Sequence, residues 1–414
     1  MELNRDLNKV KSRKIIANKD IVNSVSSILS DIEIGGMEKV LEYAKNFDGF
    51  TGNPIVTVEE IKEAMNSVGE NFINILKKTK ERIAIFHENQ IEKSWNIVKE
   101  DGSILGQVVR PLRKVGLYVP GGTATYPSTV LMNAVPAKLA GVKELIAFTP
   151  VKSDGKVSDV ILSACTIAGV DKIIKIGGVQ GIGMAAYVEK VDKIVGPGNA
   201  YVAEAKKQVY GKVGIDMIAG PSEILIIADE NANPKYVAAD LMSQSEHDKM
   251  ASGILLTTSK KLIEEVEEEI DSQMSSLNRK DILLESLSNY GAAIIVSDLK
   301  EAFDISNDIA PEHLEIMVAD PISTLPYVEN AGSIFLGENS PEPFGDYMSG
   351  TNHVLPTGGT AKFYSPLGVY DFIKRSSYSY YPKEVLNEFK DDIITFANLE
   401  GLDAHANSIK VRYE

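Results

Sequence analysis

The sequence predicts an α/β protein carrying two parallel sheets, with smaller helical pieces at its N- and C-terminal ends. Three observations predict it. Short apolar runs alternate with helical stretches from residue 116 to residue 336, the pattern of strands joined by crossover helices. The run Glu223-Ile-Leu-Ile-Ile-Ala-Asp229 is apolar throughout its centre, as a strand buried on both faces must be. Residues 19 to 95 and 382 to 400 carry helical spacing, so helices bracket the sheets.

Taken in order, Asp20 to Asp31, Met37 to Asn46 and a long run from Thr57 read as helix, the last with Glu59 and Glu60 in its first turn. His87 lies in this part and is expected to be a packing or surface histidine. From Gly102 the pattern turns to β, with Gly106 to Arg110 and then Val115 to Val119 running into Pro120-Gly121-Gly122, a candidate domain boundary. Apolar runs at Glu144 to Phe148, Ile173 to Ile176 and Lys193 to Val195 then alternate with helices at Ser128 to Ala140, Ser158 to Ala168 and Ala200 to Tyr210. Such crossovers are right-handed, and ligands sit at the carboxyl ends of the strands, where Gly177 to Gly183 and Gly196 to Asn199 fall. Neither loop has the G-x-G-x-x-G dinucleotide spacing; Gly178, Gly181 and Gly183 have it reversed, and ordinary tight turns would account for the glycines alone.

A second unit repeats the alternation, with strands at Glu223 to Asp229, Gly253 to Thr257, Ala292 to Val296 and Ser333 to Leu336 and helices over 234–247, 259–275 and 298–309. Two sheets of similar type leave an old duplication open. Val369 to Ser376 reads as a strand, followed by a helix from near Pro382 to near Glu400 and a short tail bearing His405. That tail is too short for a core of its own and must pack on something.

With 414 residues and 44% hydrophobic content the chain has ample material for more than one core. Its 43 basic and 58 acidic residues give a net charge of −15, which argues against nucleic acid and anionic membrane as partners. Cys165, the one cysteine, has no internal partner and stands in an apolar run, so it is expected to pack in a reducing, cytoplasmic setting. The charged start Met1-Glu-Leu-Asn-Arg-Asp6 is unlike a signal peptide, and no run reaches the roughly 18 apolar residues of a membrane span.

Candidate chemistry gathers around few residues. Gln244 and His247 lie three apart at the end of a predicted helix, where an amide and an imidazole can converge on a metal such as zinc, although two ligands alone do not make a site. Of the five histidines, His313 stands in Pro311-Glu312-His313-Leu314, His353 shares the Gly345 to Gly359 loop with Asp346, and His405 follows an acidic run. Adjacent residues in a strand face opposite ways, so Glu312 and His313 share a site only at a strand end or bend, which Pro311 favours.

These motifs, in this order from Gly116 to His405, resemble the histidinol dehydrogenases, zinc enzymes that complete histidine biosynthesis, and the likeness spans nearly the whole chain. The resemblance implies an NAD+-linked alcohol and aldehyde dehydrogenase that oxidises L-histidinol through L-histidinaldehyde to L-histidine, reducing two NAD+. It implies one Zn2+ per subunit held by Gln244, His247, Asp346 and His405, a donor set of borderline hardness that suits that ion. Tyr118, Gln180 and Asn199 match cofactor-binding positions in an incomplete Rossmann-like domain. Ser222, His313, His353 and Glu400, with the four zinc ligands, match substrate-binding positions; His353 could equally order its loop, and Ser222 could simply fix a turn. His313 is implied as the base in both oxidations, and Glu312 as the group that activates water.

The implied division is an N-terminal extension over 1–25, a catalytic and metal-binding domain over 26–115 plus 221–365, a cofactor domain over 116–220, and a segment over 366–414 exchanged between the subunits of a homodimer. One departure stands out: Ala186 to Asp192 is shorter than the family's segment and lacks its Gly-Thr turn, so the loop after Gln180 is expected to sit differently. The rivals are a paralogue acting on another amino or sulfonated alcohol, a silent oligomeric scaffold with structural zinc, and a metallohydrolase. Retention of Ser222 and Glu400 argues against the first, and the Glu312 and His313 pair against the second.

Overall fold

The computed structural model describes residues 2–11, 19–121, 125–218 and 220–413; Gly122 of the Pro120-Gly-Gly turn and the stretch 12–18 of the expected N-terminal extension lie outside them. The chain forms two compact units, one of the residues up to Gln90 with Leu112–Phe372, the other of Ile91–Pro111 with the residues from Ile373 onwards.

The larger unit holds both sheets, each five-stranded and wholly parallel. In chain order the first consists of Lys114–Tyr118, Glu144–Phe148, Lys172–Ile174, Lys193–Val195 and Gly214–Ile215, and the second of Glu223–Ala228, Ser252–Thr257, Ala292–Ile295, His313–Met317 and Ser333–Leu336. Both run third, second, first, fourth, fifth across the sheet. The expected α/β class is therefore observed, and the two sheets share one topology. Gly214–Ile215 is too short to show a pattern, and Glu315 interrupts the apolar run of His313–Met317, which is why neither stood out as a strand in the sequence.

Alternation in the central strand of the second sheet sets its two faces. Ile224 and Ile226 pack with Val237, Leu241, Ile263 and Val266, whereas Leu225 and Ile227 pack with Phe303, Leu314 and Ile316. Each such side chain is fully or almost fully buried, a contribution of about 1.5–3 kcal/mol apiece. On the first sheet, Val25, Leu29 and Ile32 of the helix Lys19–Asp48, kinked at Gly36, join Phe148, Ile182 and Ile194. Ala64, Leu76 and Ile83 of the next two helices join Leu131, Val135 and Leu162. The helices before residue 90 thus cover the first sheet, whereas the sequence reading had grouped them with residues 221–365.

In the smaller unit Trp95–Val98, Ile104–Pro111 and Ile373–Tyr380 form an antiparallel sheet, followed by helices Lys383–Leu399 and Asp403–Lys410. The expected strand from Val369 begins later, because Val369–Phe372 is a 3-10 turn. Among the described residues, no helix is long and apolar enough to cross a membrane.

One buried acid pair bears on stability. Asp240, on the helix Pro234–Ser245, interacts with Glu315 inside the second sheet, and both are under 9% exposed. Burial pushes Asp240 up to about 6 and Glu315 well above the carboxylate range. Folded Asp240 then holds its proton more tightly than the unfolded chain does, so stability falls as pH rises from about 4 to 6 and the cost is fully present at neutral pH. Asp240→Asn is expected to raise stability at pH 7.5 by on the order of 1–2 kcal/mol and to lose that gain by pH 4, as read from urea unfolding at the two pH values.

Candidate active site

The helix Leu299–Ile309 ends on Ala310 in the left-handed conformation (φ 53°), and Pro311 turns the chain into the His313–Met317 strand. This brings Glu312 and His313 to a strand end, and the backbone of one residue secures both: Glu223 N–H donates to Glu312 Oε2 at 2.9 Å, and His313 Nδ1 donates to the Glu223 carbonyl at 3.0 Å. Gly332 makes room, since a Cβ there would lie 2.5 Å from the Glu312 carbonyl oxygen. With Nδ1 committed as a donor, Nε2 is the basic atom of His313. Burial lowers the imidazole to about 4 against the opposing pull of Asp346, and burial raises Glu312 well above the usual carboxylate range. His313 is therefore neutral near pH 7.

Around it lie side chains from four chain segments. Pro at the first position and an Asn233 cap start the helix Pro234–Ser245, whose end and following turn carry Gln244 and His247. Both atoms of the Gln244 amide are buried without a hydrogen-bond partner. Ser222 Oγ stands 3.4 Å from His247 Nδ1, and burial lowers the His247 imidazole. The short helix Glu342–Tyr347 supplies Asp346, whose Oδ1 lies 3.4 Å from His353 Nδ1. Burial would raise Asp346, but His353 and His313 outweigh it and hold the carboxyl at about 2.

Sequence reasoning missed Glu342. Its Oε1, buried and unpartnered, lies 3.9 Å from His313 Nε2, and burial with Asp346 nearby pushes it up to about 8. Donor atoms of His313, Glu342 and Asp346 all lie within 4.8 Å of one another. The four-residue spacing of Glu342 and Asp346, one helical turn, was the available signal. One imidazole and two buried carboxylates that converge, with the Gln244 amide against Glu342, form a donor set of oxygen and nitrogen that fits a borderline divalent cation such as Zn2+.

These groups gather at the amino ends of the second sheet's strands, where Glu223 and His313 begin. His353 Nε2 lies 3.3 Å from Thr129 Oγ1, and Thr129 is in the first turn of the helix that follows the Lys114–Tyr118 strand. The site thus adjoins the carboxyl end of the first sheet.

At that carboxyl end stand Tyr118, Gln180 and Asn199, each using polar atoms internally. The Tyr118 hydroxyl accepts from Gly178 N–H at 3.0 Å, Gln180 Nε2 donates to Asp48 Oδ2 at 2.8 Å, and Asn199 Oδ1 caps the helix Ala200–Val209. The segment after Gln180 closes in a π-helical turn, Met184–Val188, with Lys190 in the left-handed region.

Glu400 and His405 belong to the smaller unit. Glu400 ends the helix Lys383–Leu399, His405 lies on Asp403–Lys410, and both line a cavity of about 660 Å3 with Phe389, Ile393 and Phe396. His87 is fully buried against Gln90 and Asn352, a packing histidine. Cys165 is buried too, its thiol pushed up to about 12 by burial, and does not serve as a nucleophile.

Comparison with known proteins places this geometry. Residues 11–413 match the family model described as histidinol dehydrogenase. The histidinol dehydrogenase of Lactococcus lactis subsp. lactis is 57% identical over 413 residues, 98% of this chain and 96% of that protein. That of Clostridium acetobutylicum is 54% identical over 410 residues, with 98% and 95% covered. The crystal structure of histidinol dehydrogenase from Elizabethkingia anophelis superposes with a TM-score of 0.93 at 35% identity, over 100% of this chain and 97% of that one. A buried acid and base at a strand end, a cluster of metal-type donors beside them and a match along the full chain agree: this chain belongs to the histidinol dehydrogenase family.

Proposed function

We propose that the chain oxidises L-histidinol through L-histidinaldehyde to L-histidine with reduction of two NAD+, in the cytoplasm. The observation that carries this reading is the Glu312 and His313 pair, fixed on the backbone of Glu223 with His313 Nε2 left basic. Gln244, His247 and Asp346 would hold Zn2+, joined by His405 of the partner subunit. When bound, zinc orients the substrate's imidazole and amine, and NAD+ held near Tyr118, Gln180 and Asn199 accepts the hydrides.

The chain's own residues do the rest. His313 Nε2 takes the hydroxyl proton as the alcohol is oxidised, then a proton from the aldehyde hydrate in the second oxidation. Glu312 accepts a proton from the water that adds to the aldehyde; its raised pKa makes it a stronger base than an ordinary carboxylate. Ser222 and His353 would line the substrate, with Glu400 meeting its ammonium. Exposed Phe389, Phe396 and Leu399 support a homodimer that exchanges the segment over 366–414.

The primary test is the stoichiometry of NADH per L-histidinol, expected to be two, lost on chelation and restored by zinc. No NADH from histidinol by the zinc-loaded protein would sink the reading. His313→Ala is expected to slow both oxidations by about 10²–10⁴-fold, and Glu312→Gln to slow the second alone by a similar factor, so that one NADH forms per histidinol. Because Glu312 must be ionised and its pKa is raised, hydration-dependent oxidation of added aldehyde gains rate as pH rises above the ordinary carboxylate range. That acid limb disappears in Glu312→Gln. His313, lowered to about 4, adds no limb near 6.5. Mixing inactive His405→Asn and His313→Ala proteins is expected to restore activity in hybrid dimers; persistent inactivity would count against a shared site.

A further inference from the structure

The loop Gly196-Pro197-Gly198-Asn199 is held from beneath by a buried ion pair that no step above uses. Lys206 Nζ lies 2.5 Å from Asp216 Oδ1, and their side chains are 3% and 1% exposed. No other Lys or Arg ion pair among the described residues has both side chains below 5%. Both charges end on Gly196. Lys206 Nζ donates to its carbonyl at 2.8 Å, and Asp216 Oδ2 accepts from its N–H at 2.8 Å. Ammonium, carboxylate and the backbone of Gly196 thus close a ring, and Asp216 Oδ1 also accepts from Met217 N–H at 2.7 Å.

Gly196 also has little conformational freedom. It has φ +110°, and a Cβ there would lie 2.2 Å from the Tyr118 carbonyl oxygen; a Cβ on Gly198 would lie 3.2 Å from the Tyr118 ring. Fixing the Gly196 peptide therefore fixes the approach of the loop to Tyr118 and the start of the helix that Asn199 caps. A buried ion pair is seldom more stabilising than an apolar pair of the same volume, because desolvation offsets the attraction. Its advantage here is directional: it holds the N–H and the carbonyl of one residue at once, which an apolar pair cannot do.

We propose that Lys206 and Asp216 are positioning residues for the dinucleotide, holding the 196–199 loop in the geometry that receives NAD+. The inference rests on the reading that NAD+ binds beside Tyr118 and Asn199. Lys206 and Asp216 act through the loop without touching the reacting atoms, so their removal changes cofactor affinity and leaves histidinol binding alone.

The test uses the full-length, zinc-loaded protein carrying Lys206→Met, Asp216→Asn, or both. The double variant has no unpaired buried charge and reports where a single variant unfolds. NAD+ affinity is read directly by titration calorimetry, and KM for NAD+ and for L-histidinol by steady-state kinetics, with zinc content and melting temperature alongside. Expected are a rise of about tenfold or more in NAD+ Kd and KM, the scale typical of outer-shell partners, and a histidinol KM within about twofold of the parent. Unchanged NAD+ affinity in a folded variant overturns the proposal, as does parallel loss of NAD+ and histidinol binding, which would mark a general structural role. Asn199→Ala separates the two levels. If it weakens NAD+ binding and the double variant does not, the positioning role falls while the cofactor site stands; if neither does, the cofactor reading falls with it.

Discussion

The peptide of Glu223 is the constraint on which the catalytic geometry depends. Its N–H and carbonyl are engaged by Glu312 and His313, two consecutive residues that a regular strand would point apart. Two features resolve that conflict. The parallel register places His313 beside Ile224, so the start of one strand lies against the start of the other. Ala310, left-handed, and Pro311 bend the chain just before it, so that Glu312 is outside the ladder and free to turn inward. The same contacts set the chemistry, since a donating Nδ1 leaves Nε2 as the base. Burial keeps that imidazole neutral and makes the neighbouring carboxyl harder to ionise, so two adjacent groups differ in role through environment alone.

Two sheets of one topology serve different ends of their strands. In the first, the loops after Tyr118, Ile174 and Val195 come together at the carboxyl edge, where ligands of open parallel sheets usually bind. In the second, the polar groups gather at the amino edge, against that usual placement. The contact of His353 with Thr129 shows why this arrangement is useful: the carboxyl edge of one sheet meets the amino edge of the other within one compact unit. Common strand order accords with descent from a duplicated unit, with opposite edges adapted to complementary tasks.

Much of this was legible in the sequence for physical reasons. Strands buried on both faces must be apolar, so Glu223–Ala228, Glu144–Phe148, Lys193–Val195 and Ser252–Thr257 announced themselves. His313–Met317 did not, because Glu315 in its centre is a buried acid whose cost is met by the Glu342 N–H and by proton sharing with Asp240, neither of which a local pattern reveals. Amphipathic spacing identified the helices before residue 90 but not the sheet they cover, since any apolar surface satisfies such a face. For the site, Gln244 and His247 at a helix end, His313 beside a proline and Asp346 in a glycine-rich loop were legible as unusual residues. Glu342 escaped because an acid at a helix start needs no special explanation; only its depth and its unpartnered oxygen set it apart.

Burial sets the electrostatics of the site. Glu312, Glu315, Glu342 and Asp240 are all raised by burial, and the neighbouring imidazoles His247 and His313 are lowered by it, so neither sign of charge is well solvated there. Only Asp346, with His353 and His313 beside it, is held firmly ionised. Such surroundings disfavour an anion and suit a compact cation that donors can surround. The Gln244 amide, buried without a close hydrogen-bond partner and turned towards Glu342, is the clearest donor available to such an ion. A divalent metal and a substrate bearing an ammonium group would together supply the positive charge that the protein itself withholds from this region, and each would strengthen the other's case for binding by drawing the same carboxylates into their ionised form.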